Sequence, residues 1–134
     1  MDSDVVPVWY SNANLEGNRY PVWSVCADQV WLFSGDERGN IIAESVEVEM
    51  QTLEGHAGPV LALYVSGDRL FSGGLDQTIR VWDLAGECVQ TLQGHADWVS
   101  SVCVSGDRLF SGSRTIKVWR FVDEIWQLDK TLGG

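Results

Sequence analysis

Basic residues are scarce in this sequence: 9 Lys and Arg stand against 19 Asp and Glu, for a formal net charge of -10. Phosphate backbones are held by clustered Lys and Arg, so the shortage argues against nucleic acid and against anionic membranes as partners. Residues 1–54 carry 10 acidic and 2 basic side chains, while residues 55–134 carry 9 and 7. Long apolar runs are also missing; none approaches the roughly 18–20 residues of a membrane-spanning helix. The opening MDSDVVPVWY has acid and no Lys or Arg. A secretory signal would start basic and turn apolar, so a cytoplasmic location is expected, with a nuclear one also open. Cysteine is sparse: Cys26, Cys88 and Cys103 make an odd set with no CxxC pair. That argues against a disulfide framework or a zinc site and points to buried thiols in a reducing compartment. No GK[ST] or GxGxxG phosphate loop is present and no segment sustains a helical period, so no cofactor or metal is expected.

What the chain does have is repetition. At 134 residues it holds one domain at most, with an ordinary hydrophobic share of 45%. QTLEGHAGPVLALYVSGDRLFSGGLDQTIRVWD (51–83) recurs as QTLQGHADWVSSVCVSGDRLFSGSRTIKVWR (90–120), and VSGDRLFSG is unchanged at 65–73 and 104–112. His56 to His95 and Phe71 to Phe110 are both 39 residues, but Trp82 to Trp119 is only 37. A worn copy, NLEGNRYPVWSVCADQVWLFSG (14–35), aligns with 52–73 at a constant offset of 38 through Leu15, Gly17, Pro21, Val22, Phe33, Ser34 and Gly35. The closing Thr131-Leu132-Gly133-Gly134 matches the start of the next cycle, which explains the terminal Gly-Gly more simply than a ubiquitin-like tail does.

Within each unit LALYV or SSVCV, then RLF, then TIRVW or TIKVW, then CVQTL, MQTL or IWQLDKTL, are rich in β-branched and aromatic residues and separated by Ser-Gly-Asp or Ser-Gly-Gly turns. Four strands every 38–39 residues is the period of a propeller blade. With Gly55-His56, Gly94-His95 and Trp82-Asp83, the chain resembles the WD-repeat β-propeller family over roughly residues 14–134. The expected fold is all-β: about three four-stranded antiparallel WD-repeat β-propeller blades, as a partial or oligomer-completed propeller. One WD-repeat region, 1–134, divides into an N-terminal strand or extension (1–13), a degenerate blade (14–53), a well-formed blade (54–92) and a blade with a shortened b–c turn (93–134).

The resemblance implies a buried hydrogen-bonded chain of His56, Ser72, Asp76 and Trp82 in the second unit. The chemistry is sound in itself, because a buried imidazole and a buried indole N–H each need a partner. The third unit keeps His95, Ser111 and Trp119 but loses the Asp, as GGLDQTI becomes GSRTI. The first has Asn18 for His, Ser34 retained, Arg38 opposite the Asp and Glu44 opposite the Trp, so its polar chain is not expected to form in the same way, and blade stability is expected to run second, third, first. A hydrolase reading of His, Ser and Asp fails on two counts. Ser72 lies within a strand rather than on an exposed elbow, and its pattern recurs in every unit; no catalytic residue is expected.

The family's loops leading into the first strand of each blade lie on the face that meets partners. This makes Trp98 and Asp97, with the matching Pro59, and Arg19 and Tyr20 of the first unit, the candidates for partner binding, along with Leu75 at the second unit's b–c turn. Asp2, Asp4, Glu44, Glu47, Glu49 and Glu54 read as an acidic stripe, either a solvated face or a dock for a basic partner. Counting strands leaves VVPVWY (5–10) over as a thirteenth. Three blades fall short of the usual ring of about 4–8. The favoured reading is a segment of a longer array; two copies could instead close a six-bladed ring through isologous contacts, or the chain could stay an open arc. The expected function is that of a non-catalytic protein–protein interaction scaffold or adaptor. The alternative is a substrate-recruiting part of a ubiquitin ligase or kinase assembly. That alternative is weakened because Trp-Asp-x-Arg, common in ligase-linked members, is Trp-Asp-Leu-Ala at 82–85 and Trp-Arg-Phe-Val at 119–122.

Overall fold

The computed structural model describes residues 19–45 and 49–133. The expected strand at 5–10, together with Leu15, Gly17, Asn18, Asp2, Asp4, Glu47 and Gly134, lies outside the described residues. Three four-stranded sheets follow one another along the chain. The first holds β1 (Val22–Ala27), β2 (Trp31–Asp36), β3 (Asn40–Ser45) and β4 (Gln51–Glu54). The second holds β5 (Val60–Ser66), β6 (Arg69–Gly74), β7 (Ile79–Asp83) and β8 (Cys88–Leu92). The third holds β9 (Ser101–Ser105), β10 (Arg108–Gly112), β11 (Ile116–Val122) and β12 (Ile125–Leu132). Every neighbouring pair within a sheet is antiparallel, in chain order. The first strands lie side by side, β1 against β5 and β5 against β9.

Turn chemistry accounts for the hairpins. In the two identical VSGDRLFSG segments, Gly67 and Gly106 have φ of +60° and +61°, so a two-residue Gly-Asp loop joins the first two strands. The first sheet has no glycine there and uses Asp28 instead, whose Oδ1 accepts from the backbone N–H of Val30 and Trp31, both at 2.8 Å. Asp83 closes the β7–β8 turn by accepting from Ala85 N–H at 3.0 Å and Glu87 N–H at 2.9 Å. The third sheet has Arg120 at the corresponding position. There the strands run on to a tight turn in which Asp123 and Glu124 both take positive φ, 54° and 67°.

The core lies between sheets rather than within one. Phe33, Ile41, Ala43 and Leu53 of the first sheet meet Val60, Leu70 and Trp82 of the second. In the same way Phe71, Ile79, Val81 and Leu92 of the second meet Val99, Val102, Leu109 and Trp119 of the third. The repeated Phe-Ser-Gly triplet sets this seam. Phe faces the next sheet, and the glycine leaves room for the valine that opens it. A Cβ at Gly35 would lie 2.6 Å from Val60 Cβ, and one at Gly73 2.6 Å from Val99 Cγ1. Both valines are fully buried.

The expectation of buried thiols holds for one cysteine only. All three are free; Cys26 is half-buried, and burial, reinforced by the Asp28 charge, pushes its thiol up to about 12. Cys88 sits on the outer strand β8 and Cys103 on β9, and both are exposed. Gly73→Ala is expected to cost about 1–3 kcal/mol, the usual range for overpacking a filled core. A shift in the urea midpoint measures it, and an unchanged midpoint would show that the seam is looser than described.

Candidate functional site

Beneath the loops of the second sheet the polar residues form one continuous chain. His56 Nε2 and Ser72 Oγ are 2.7 Å apart, and the Trp82 indole N–H donates to the same Oγ at 2.9 Å. His56 Nδ1 lies 3.1 Å from both carboxylate oxygens of Asp76. With Trp82 donating to Ser72, the hydroxyl proton is best used towards Nε2, and Nδ1–H then donates to Asp76. This tautomer is neutral and satisfies every group. Burial lowers the His56 pKa, with Arg80 acting in the same direction, against the pull of Asp76. Burial raises the Asp76 pKa, but the Ala57 N–H, the His56 ring and the Thr78 hydroxyl outweigh it, so the net shift is downward. Ser72 is fully buried with its oxygen engaged by Trp82 and His56, so this order of His, Ser and Asp offers no nucleophile to a substrate.

The third sheet repeats the inner half: His95 Nε2 to Ser111 Oγ is 2.7 Å and Trp119 Nε1 to the same oxygen 2.9 Å. Without an aspartate in its turn, His95 has its pKa lowered by desolvation and by the Lys117 charge. The first sheet solves the problem with a residue that the repeat alignment passes over. Asp36 stands where the second sheet has Gly74, it is buried, and its Oδ1 accepts from Arg38 N–H at 2.9 Å and Asn40 N–H at 3.0 Å. In the second sheet a Cβ at Gly74 would lie 2.7 Å from both Asp76 Oδ1 and His56 Nδ1. The carboxylate thus migrates two residues along the chain and fills room otherwise taken by the histidine pair. Its signal in the sequence was a charged residue at a glycine position.

Above these networks each loop is tied to its own b–c turn, by three different contacts. In the first sheet the Arg38 guanidinium lies 4.8 Å from the centre of the Tyr20 ring. In the second, Ala57 N–H donates to Asp76 at 3.0 Å. In the third, Arg114 Nε donates to Asp97 Oδ2 at 2.6 Å, while Asp97 Oδ1 accepts from Trp98 N–H at 2.8 Å. The Trp98 N–H and Arg114 together hold the Asp97 carboxyl below its ordinary range. Trp98 is 57% exposed and Arg19 and Tyr20 are exposed, but Pro59 and Leu75 are half-buried. Trp98, Asp97, Ser100, Ser113 and Arg114 line a shallow depression of about 190 Å³. Of the acidic stripe's described members, Glu49 and Glu54 are exposed, while Glu44 lies half-buried on β3 and burial raises its pKa.

Comparison with known proteins agrees with this geometry. The WD40 family model (WD domain, G-beta repeat) matches residues 47–83 and 86–120, more than half of the chain. The chain belongs to the WD40 repeat family. Among curated proteins it is 36% identical over 92 residues to zinc finger CCCH domain-containing protein 17 of Oryza sativa subsp. japonica, covering 61% of this chain and 21% of that one. It is 55% identical over 39 residues to mitochondrial division protein 1 of Aspergillus oryzae, covering 28% and 6%. Among solved structures, that of U3-55K superposes with a TM-score of 0.78 at 27% identity, over 88% of this chain and 41% of the other. The chain therefore spans about a fifth of the rice protein and two fifths of the solved one.

The WD40 sheets also enclose a site that sequence reading missed. A cavity of about 460 Å³ opens at the opposite end, between the second and third sheets, lined by Phe71, Val81, Val104, Phe121 and Trp126, with Arg69 and Glu124 among its polar residues. Trp126 stacks edge-on to Phe71 at 5.6 Å and tilts onto Phe121 at 5.1 Å.

Two outcomes follow from the network. Trp82→Ala is expected to cost about 3–5 kcal/mol, as large aromatic truncations in cores do, and an unchanged denaturation midpoint would refute it. Both histidines have pKa values lowered below 6.5, so the folded chain resists protons that the unfolded chain takes up. Stability measured by urea titration is therefore expected to fall as pH drops from 7 through 6 to 5. A further loss below about 4 is expected as Asp76, with its pKa lowered from 3.8, is protonated.

Proposed function

We propose that this WD40 chain is a non-catalytic protein-interaction module of a scaffold or adaptor kind, and that its partner docks on the loop face of the third blade. The observation that carries the proposal is Trp98. A tryptophan 57% open to solvent stands where the other two blades have proline, beside a fixed Asp97–Arg114 pair. Tryptophan and arginine dominate binding energy at protein interfaces, and a side chain whose backbone is already held loses little entropy on docking. Arg19 and Tyr20 extend the same face at the first blade. The acidic balance favours a protein partner over nucleic acid or membrane and fits a cytoplasmic or nuclear setting.

The test is affinity capture with tagged protein, comparing wild type with Trp98→Ala and Arg114→Ala. The expected result is a stable partner lost on Trp98→Ala and weakened on Arg114→Ala, with unfolding free energies within about 0.5 kcal/mol of wild type as for other exposed sites. Retention of the same partner by both variants would overturn the docking site. Recovery of ubiquitin-ligase subunits as the main partner would overturn the adaptor reading in favour of substrate recruitment.

A further inference from the structure

The two seams inside the chain are built alike and finish differently at the end away from Trp98. In the first seam Trp31 stacks on Phe33, with ring centres 5.9 Å apart and planes 19° from parallel. The space left between Trp31 and Leu84, on the β7–β8 turn of the next sheet, is only about 10 Å³. Strand pairing gives each of these residues a counterpart in the second seam. Phe71 and Val81 repeat Phe33 and Ala43, Phe121 repeats Leu84, and Arg69 stands where Trp31 does. Arg69 does not fill the space that the indole fills. Its Nη1 donates to Asp68 O at 3.3 Å and lies 3.6 Å from the Asp68 carboxylate, out in the turn. The cavity of about 460 Å³ is what remains.

A gap of that size is foreign to a close-packed seam and falls within the range of ligand sites, about 300–1,000 Å³. Its shape is held. Gln90 closes one wall, donating to Trp126 O at 2.8 Å and accepting from Trp126 N–H at 2.9 Å. Phe71 and Trp126 pack edge to face beneath it, while Phe121 and Val89, 45% and 49% exposed, offer apolar surface at the mouth. The charge around the mouth is acidic. Arg69 and Arg108 are each paired with the aspartate before them, Asp68 and Asp107. Glu124 lines the cavity, and it and Asp123 are exposed on a turn fixed by two positive φ angles; neither has a basic partner among the described residues.

We infer that this cavity receives an aromatic side chain of a partner protein, carried in a segment with Lys or Arg beside it. The first seam shows the fit, because there the chain fills the same space with its own indole. Aromatic side chains are the usual anchors of protein interfaces, and the free carboxylates of Asp123 and Glu124 select a basic neighbour for the anchor. Both walls belong to sheets within this chain, so the site requires no further blade. It is separate from the Trp98 docking site and does not rest on it.

The test is a titration of the 134-residue chain with the blocked peptide Gly-Lys-Trp-Lys-Gly, followed residue by residue by amide and indole NMR. The expected shifts are at the Gln90 side chain, Gly106, Glu124 and the Trp126 indole. Gly-Lys-Ala-Lys-Gly is expected to leave them unmoved, and Gly-Glu-Trp-Glu-Gly to bind about threefold or more weaker, a difference that shrinks in high salt. Arg69→Trp, which gives the second seam the first seam's filling, is expected to keep the β circular dichroism and abolish binding. Glu124→Gln is expected to reduce the preference for the basic peptide, and Trp98→Ala to leave binding unchanged. Absence of these shifts in the wild type, or their persistence in Arg69→Trp, would overturn the site. Equal binding of the acidic peptide would overturn the basic partner. N-acetyltryptophan amide binding as tightly as the basic peptide would assign the cavity to a free aromatic molecule and overturn the protein partner.

Discussion

Everything in this structure depends on the seam between consecutive sheets. A four-stranded sheet has two faces and too few residues to fold over either, so each must be covered by another sheet. The seam is directional. One side presents Phe, a β-branched or small residue and Ile over a glycine hole; the other presents valine, leucine and tryptophan. Fully burying an isoleucine or leucine is worth about 1.5–3 kcal/mol. Ile41, Ile79, Leu53 and Leu92 contribute at that level, whereas Ile116 and Leu132, half open, contribute a fraction of it. The stability of the arc therefore rises with each seam closed, as in other repeat proteins where neighbours supply most of the energy.

The polar network sits on the same seam. Trp82 and Trp119 press one face into the preceding sheet while the indole N–H turns back to Ser72 or Ser111. The network therefore fixes the orientation of the ring that fills the seam, which an apolar substitute of equal volume would leave free. It also sets the height of the loop above it, because the same histidine belongs to the segment leading into the next strand. A buried neutral imidazole suits this arrangement: Nε2 accepts the serine proton, and a second ring proton would place a charge where burial disfavours it.

Strand positions were legible in the sequence because the periodic units repeat their turn residues as well as their apolar ones. The second-blade network was legible for the same reason, as His56, Ser72, Asp76 and Trp82 each stand at a fixed repeat position. The first blade was not, because its solution breaks the alignment. Asp36 acts from a glycine position, and Asp28 replaces a turn glycine through its side chain. Substitution by function at a shifted position is invisible to residue matching. Arg114 was missed because the shortened turn that removed one aspartate also brought a new cation beside Asp97. Trp126 and Phe121 were missed because β11 and β12 run past the length of their counterparts, and the extra residues have no repeat partner to mark them.

The three loop ties show how such a scaffold separates stability from recognition. Tyr20 with Arg38, Ala57 with Asp76 and Asp97 with Arg114 do the same job with unrelated chemistry. This freedom exists because the geometry below them is set by the seam and by buried polar groups, whose replacement costs far more than that of any exposed contact. In the third blade the tie moved to the surface, where an Asp–Arg pair adds little stability on its own. What it adds is a held pair of opposite charges beside an open tryptophan. The loss of the buried aspartate from the third blade and the gain of a structured polar patch on its surface are thus two consequences of one shortened turn.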